Sequence, residues 1–480
     1  MKSHRFEKPI RKRGFLRAQF YAAPGLAAAA AIVIALWLGG IAPAHLARRE
    51  PLPENIGAPQ MPMPTAPKAV PETLTTGPGQ PSKLTGSWPQ FRGPDRSAVA
   101  TEGTKLARKW PAQGLRAVWS LELGEGHAGA AVSEGRVYLL DYDREKKQDA
   151  VRCLSLDDGR EIWRCSYPVD LKRNHGMSRT VPAVADGYVV TLGPKCHVRC
   201  LDAKTGRLAW KMDLVGEYGA VVPPWYAGQC PLIDGGAAII APGGESLMVA
   251  VELATGRIRW KTPNPDKWDM THGSIMRMDY KGITQYLYCY TGGVAAVAAT
   301  DGHVLWKKAD WKIELANVPS PLVVGNDLVF FTGGYNSGCV LARLTGEAGD
   351  IKTEEVFRRP APVFASDQQT PAFHDGHIYG VIPGGQMACL DLSGKKLWES
   401  GNTRRFGLGP YMIADGLILA LNDQDGTLRL AEASSDEYRE LASAKVLDGH
   451  DAWGPMALVG ERLILRDSTR MVCLELPRGE

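Results

Sequence analysis

The stretch VRCLDAKTGRLAW, Val198–Trp210, recurs down the chain. Its relatives are VRCLSLDDGREIW (Val151–Trp163), MVAVELATGRIRW (Met248–Trp260), VAAVAATDGHVLW (Val294–Trp306) and, one residue shorter, MACLDLSGKKLW (Met387–Trp398). Each reads as an apolar strand, a tight turn and a second strand. The Asp, Glu or Ser ahead of the turn is placed to accept a local backbone hydrogen bond. The glycine (Gly159, Gly206, Gly256, Gly302, Gly394) supplies the positive φ that such a turn requires. The tryptophan four residues on is expected to pack its indole against the neighbouring unit.

The period decides the architecture. Tryptophans fall at 163, 210, 260 and 306, at intervals of 47, 50 and 46, and the next is Trp398, 92 residues on. That gap is two steps, so a unit without its tryptophan belongs between, and Gly338–Arg358 fits with Thr345-Gly346 at its turn. One further step reaches Leu428–Leu441, also without a tryptophan. At the other end, Leu115–Gly124 carries Trp119, 44 residues before Trp163.

The last unit supplies three strands within Gly454–Leu476, and Leu115–Gly124 supplies the fourth. Radial four-stranded sheets of about 40–50 residues each are the mark of a β-propeller. The expected fold is therefore all-β, an eight-bladed propeller over residues 115–476, its ring closed by an N-terminal strand. Seven blades is the alternative, if one degenerate unit is an insertion. The segments TVPAVADGYVVTL (Thr180–Leu192), PSPLVVGNDLVFF (Pro319–Phe331), TPAFHDGHIYGVI (Thr370–Ile382) and GPYMIADGLILAL (Gly409–Leu421) open their units. Each is two short strands joined by an Asp-Gly or Gly-Asn turn, a hairpin signal. These are the expected inner strands, and the turn-plus-tryptophan hairpins the outer ones.

A chain of 480 residues suggests several domains on length alone, but a repeat array can be one. The net charge of +4 is uneven: residues 1–21 hold seven Lys and Arg against Glu7, so the remainder sums to −2. No nucleic-acid footprint is indicated, and the basic excess belongs to targeting. Residues 1–21 read as a basic cytoplasmic leader and 22–41 as an apolar run long enough for one membrane span. Leu26–Leu38 followed by Ala42-Pro43-Ala44 also resembles a cleavable signal peptide, but the long leader favours an uncleaved anchor. Either way the body is exported, to the periplasm or beyond. No Cys precedes Cys153, which excludes a lipid-modified N-terminal cysteine in this sequence. Residues 42–86 are proline-rich and read as a semi-rigid spacer. Residues 87–114, beginning SWPQFRGPDRSAVA, read as a lead-in that packs on the propeller face.

The D-x-x-T-G-[KR]-x-x-W hairpin, with W-P-x-F-R-G-P ahead of the ring, resembles the pyrroloquinoline-quinone-like (PQQ-like) propeller repeat family over about Ser87–Glu480. That family includes quinoprotein alcohol dehydrogenases and an outer-membrane barrel-assembly lipoprotein. Resemblance to the dehydrogenases implies a planar quinone in the axial channel, stacked on a Trp. An adjacent Cys-Cys pair would lie on its other face, with Ca²⁺ or a lanthanide held by Glu, Asn and Asp, and an Asp base. This chain has no Cys-Cys dipeptide, no acidic cluster before the inner strands and no C-x-x-C-H haem site. A fold hosts many functions, so the site has to decide.

Cys153, Cys200, Cys389 and Cys473 share one repeat position, where other units carry Ala250 or Ala296, which favours small buried residues over ligands. Cys196-His197-x-x-Cys200 offers three zinc-type donors but has no second pair. Cys153 with Cys165, or Cys196 with Cys200, are candidate disulfides after export. No Ser/His/Asp arrangement reads as a triad, and no catalytic or metal-binding residue is assigned. The candidate site is the set of residues just before each inner strand: His127, Arg179, Trp225 with Tyr226, His272, Asn317, Gln369, Arg405 and Trp453. Polar and aromatic groups converging on one mouth suit a ligand or peptide pocket.

The sequence thus points to a monomeric, non-catalytic binding scaffold of the cell envelope, membrane-tethered through its N-terminus. Its expected partners are envelope proteins, or a small ligand at the axial mouth, with no cofactor. A quinoprotein dehydrogenase using PQQ with Ca²⁺ or a lanthanide is the second reading, and a sensor or carbohydrate-binding module the third.

Overall fold

The structure, a computed structural model, describes residues 72–100, 105–313, 315–347 and 349–479. The basic leader, the apolar run Ala22–Ile41 and residues 42–71 of the expected spacer lie outside the described residues. Among the described residues no helix is long and apolar enough to cross a membrane.

Eight antiparallel four-stranded sheets follow one another along the chain, two of them extended by a fifth strand. Blade 1 runs from Ala131–Ser133 to Glu161–Pro168, and blade 2 from Ala183–Ala185 to Leu208–Asp213. Blade 3 runs from Leu232–Asp234 to Ile258–Pro263, and blade 4 from Met276–Tyr280 to Val304–Lys308. Blades 5, 6 and 7 run from Leu322–Val324 to Lys352–Arg359, from Ala372–His374 to Lys396–Glu399 and from Tyr411–Ala414 to Glu440–Lys445. Blade 8 combines Ala457–Val459, Arg462–Arg466 and Arg470–Glu475 with Arg116–Glu122 from ahead of blade 1. The first strands of successive blades neighbour one another, as Ala131–Ser133 does with both Ala183–Ala185 and Ala457–Val459, so they are the inner strands. The two units without tryptophan are complete blades, and the seven-bladed alternative falls.

One contact repeats from blade to blade. The Trp119 indole N–H donates to the Leu156 carbonyl, Trp163 to Ala203, Trp210 to Leu253 and Trp260 to Ala299, at 2.8–3.2 Å. Each acceptor lies three residues before the turn glycine of the next blade. That glycine is in the left-handed region, and a Cβ there would meet the incoming indole at 2.3–2.9 Å, as at Gly302, Gly206, Gly256 and Gly159. Glycine is therefore required twice, by φ and by the ring pressed on it. Opposite each tryptophan on its own sheet stands a small or slim residue, Cys153, Cys200, Ala250, Ala296, Cys389 or Cys473, and a register shift adjoins each of these pairs. In blade 5 Phe357 holds the tryptophan position and packs on Gly394. Trp306, facing that blade, donates instead to Gln285 of its own sheet, and Trp398 reaches the Ser434 carbonyl.

The segment ahead of the ring differs from expectation at two places. The proline-rich spacer does not extend to residue 86: Thr73–Thr76 pairs with Glu161–Pro168 as a fifth strand on the outer edge of blade 1. Glu72 beside it forms ion pairs with Lys211 and Arg199 of blade 2. The lead-in does not rest on a face; it enters the axis. Trp88 pairs its backbone with Val132 of blade 1, and Pro89 accepts from Val184 of blade 2. Arg96, 1% exposed, donates to the Ile275 carbonyl at 2.6 Å and to those of Pro231 and Cys230. Arg92 donates to the Thr370 and Pro371 carbonyls of blade 6 at 2.5 and 2.6 Å. Val99–Ala100 then pairs in parallel with the inner strand of blade 7. The segment expected as a lead-in on the propeller face is a plug joining six blades.

All nine cysteines are buried free thiols. The pairing of Cys153 with Cys165 is prevented by register, because Cys153 faces Trp163 and Cys165 faces Val151. Cys196 lies in the turn before His197–Asp202 while Cys200 faces Trp210, so that pair does not form either.

Gly206 and Gly187 share a positive φ, but only Gly206 lies against an indole; nothing stands within 4 Å of a Cβ at Gly187. Gly187→Ala should cost about 1–2 kcal/mol, the backbone penalty alone. Gly206→Ala should cost clearly more, because Trp163 must move. Denaturant midpoints at constant m-value test this, and equal losses would remove the indole's role.

Candidate functional site

The loop before each inner strand and the loop between the second and third strands reach the same end of a blade. At that end lies an axial cavity of ≈ 280 Å³. Blade 1 lends it His127, blade 2 Arg179, blade 3 Trp225, blade 4 His272, blade 6 Gln369 and blade 8 Trp453. Six sequence-predicted mouth residues therefore converge.

Three do not. Tyr226 is buried, its hydroxyl donating to the Lys172 carbonyl at 2.7 Å and its ring packed in a side cluster with Tyr142 and Tyr167. Asn317 is buried outside the lining, and its backbone carbonyl receives the N–H groups of His272 and Gly273 at 3.0 Å. Arg405 is exposed: its backbone bridges to Gln386 and its guanidinium donates to Asn402 Oδ1 at 3.2 Å. Blade 7 contributes no lining residue among those described.

Sequence reasoning missed Phe91, contributed by the axial plug, and Tyr335, Asp367 and His175. Tyr335 lies between the second and third strands of blade 5. Those loops share the mouth with the loops before inner strands, so strand order alone contained the signal. His175 belongs to the same loop as Arg179, and Asp367 to that of Gln369.

Two imidazole–indole pairs define the walls. His127 lies 4.6 Å from Trp453 between ring centroids, tilted by 30°, and Trp225 lies 5.9 Å from His272. The pairs come from blades 8 and 1 and from blades 3 and 4, so they stand across the cavity. Gly176 is forced beside His127, where a Cβ would sit 2.8 Å from Nε2. His127 Nε2 lies 2.9 Å from the His175 carbonyl.

Burial pushes the His127 pKa down to about 3, helped by the charges of Arg179 and Arg466. Burial and then Arg179 push His272 down to about 4. The cavity thiol, Cys230, is raised by burial, and so is the Asp367 carboxyl. A general base works best with a pKa near the working pH. Imidazoles this weak stay neutral and offer hydrogen bonds and stacking.

Fold and site together define a PQQ-like repeat propeller with an aromatic axial pocket. The family described as outer membrane protein assembly factor BamB matches residues 146–400, more than half of the chain, and the chain belongs to that family. A relative of that name from Moranella endobia (strain PCIT) is 23% identical over 335 residues, which cover 66% of this chain and 69% of its own. The BamB structure from Moraxella catarrhalis aligns with a TM-score of 0.53 at 14% identity, covering 75% of this chain and all of that one. The quinohemoprotein alcohol dehydrogenase ADHIIG from Pseudomonas putida HK5 aligns with a TM-score of 0.56 at 14% identity, covering 82% and 81%. At such identities the structural likeness shows the fold alone.

The residues present do not fit the hard cation that accompanies the quinone in the dehydrogenases. A hard cation needs several oxygen ligands. The cavity offers one carboxylate, Asp367, raised by burial. Among the described residues no three His, Cys, Asp or Glu side chains are grouped to hold a metal ion.

The two histidines set a pH dependence. Each has a folded pKa below the unfolded value of 6.5, so on acidification the unfolded chain takes up the proton first. Their contribution is complete above about pH 6.5 and is lost as pH falls. Asp149, buried under the Tyr167 and Ser178 hydroxyls, has the opposite sign: burial raises it to about 6, so its contribution is lost as pH rises through that value. His127→Gln should therefore flatten the acid side of the stability curve by about 1.4 kcal/mol per pH unit between pH 6 and 4. Denaturant titrations across that range measure the slope difference, and an unchanged slope would contradict a neutral His127.

Proposed function

We propose that this propeller is a non-catalytic binding scaffold of the cell envelope, exported to the periplasmic side and tethered through its N-terminal segment. The basic leader and the apolar run Ala22–Ile41 support export and a tether. Membership of the assembly-factor family supports envelope proteins as partners. The observation that carries the reading is the rim of the axial mouth. Val221, Leu315 and Tyr335 lie on loops that also supply the cavity lining, and they are 54%, 55% and 54% exposed. Exposed apolar groups around an aromatic pocket are the anatomy of a docking face.

Because these side chains are exposed, charging them should leave the fold intact. Leu315→Asp with Tyr335→Asp should abolish capture of envelope proteins by the tagged chain while leaving its thermal midpoint within a degree or two. Full capture by the double variant would move the binding face away from the mouth.

The quinoprotein reading makes the opposite forecast. PQQ with Ca²⁺ or a lanthanide would raise the thermal midpoint of any propeller that binds it only when folded. The donor set supports no shift here; a saturable rise needing both components would restore that reading.

A further inference from the structure

Positive charge is concentrated along the axis on guanidinium groups that are hydrogen-bonded to carbonyls rather than to carboxylates, although Asp141 and Asp467 lie near Arg466 and Asp95 near Arg92. Arg92, Arg96 and Arg466 are buried, and their guanidinium groups donate to backbone carbonyls and to the Gln90 amide oxygen. Arg179 lines the cavity, with Nη2 held by the carbonyls of Asn174, His175 and Gly176 at 2.5–3.3 Å. Carbonyl dipoles solvate a guanidinium but do not cancel its charge, and buried charges are ordinarily paired. Asp367 does not serve as partner: it lines the cavity from blade 6, opposite blade 2, and burial alone accounts for its raised pKa. Asp423, behind the wall, is engaged by the Trp453 indole at 2.8 Å.

Three buried nitrogens at this cavity have no hydrogen-bond partner: Arg179 Nε, His272 Nε2 and His127 Nδ1. A neutral His127 that gives its Nε2 proton to the His175 carbonyl leaves Nδ1 an acceptor, so the two able to donate are Arg179 Nε and His272 Nε2. Unsatisfied buried polar groups are rare enough to ask for a ligand. Arg179 is pre-organised, because the loop carbonyls fix its plane before anything arrives. One guanidinium edge and one imidazole suit the two oxygens of a planar monoanion better than a tetrahedral dianion, which needs more donors. The remaining surface is flat and aromatic: Trp225 on one side, Trp453 on the other, Phe91 from the plug. A volume of ≈ 280 Å³ is of single-ring size, at the small end of ligand pockets.

We propose that the axial cavity is a metal-free site for a small organic acid, its carboxylate on Arg179 Nε and His272 Nε2 and its flat body between Trp225 and Trp453. The proposal rests on reading the mouth as a binding face and adds to it the ligand chemistry; it does not need the protein partner.

The test uses the full chain, with calorimetry and indole fluorescence, and three probes: benzoate, its neutral isostere benzamide, and inorganic phosphate. Benzoate should bind and quench fluorescence, benzamide should bind at least tenfold more weakly, and phosphate should not compete. Arg179→Gln should erase the difference between acid and amide. Trp225→Ala, which leaves the loop carbonyls of Arg179 in place, should weaken both and preserve their ratio. Benzamide binding as tightly as benzoate, competition by phosphate, or no benzoate binding at millimolar concentration would each overturn the proposal. Failure with benzoate while envelope capture persists would retire this site alone; loss of capture in the rim variant with benzoate binding intact would retire only the scaffold.

Discussion

The indole that each of four successive blades lays on the next blade's turn, from Trp119 to Trp260, is the contact from which the geometry follows. It joins a hydrogen bond to a carbonyl three residues before a glycine with a ring pressed on that glycine's Cα. Buried aromatic side chains of this size are worth about 3–5 kcal/mol each when truncated. Because donor, acceptor and glycine recur at fixed spacing, these four junctions are built alike. The inner strands then converge, and the loops before them meet at one mouth. The pattern lapses from blade 4 onward: Trp306 donates within its own sheet, Phe357 of blade 5 keeps the packing on Gly394 without the hydrogen bond, and the outer strand of blade 7 has no tryptophan.

The plug is the second constraint, and it has a local cost. Arg92, Arg96 and Ala98 all sit in the left-handed region, which non-glycine residues adopt only when the surroundings compel it. The compulsion is the set of guanidinium bonds to carbonyls just ahead of the inner strands of blades 3, 4 and 6. The same bonds block the channel from below and place Phe91 in the cavity, so what remains is a cup. The arginines that hold the plug also make the cup electropositive, which links the architecture to the ligand it suits.

The blades were legible because their signal is local: a turn glycine and a tryptophan within five residues, repeated. Even the degenerate units were placed by counting steps. The plug was not legible, because Arg92 and Arg96 find their partners in backbone carbonyls up to 279 residues away, and carbonyls carry no sequence signature. The mouth was legible in part. Counting back from each inner strand located His127, Arg179, Trp225, His272, Gln369 and Trp453, whereas Arg405 escaped because its loop pairs back onto Gln386. The cysteines illustrate the converse: sharing one position opposite a tryptophan, they were recognisable as packing residues, while their candidate disulfides failed on a register that sequence does not fix.

Blade 8 draws Trp119 and Cys473 into one pair from positions 354 residues apart. During synthesis at about 5–20 residues per second, the earlier strand exists for tens of seconds before its mate does. Through that interval Arg116–Glu122 is an unsatisfied strand edge, and the axial arginines lack the blade 6 carbonyls they will hold. If the chain is exported as proposed, it crosses the membrane with that edge still open, a stage that a propeller with both ends of its sequence in separate blades would not pass through.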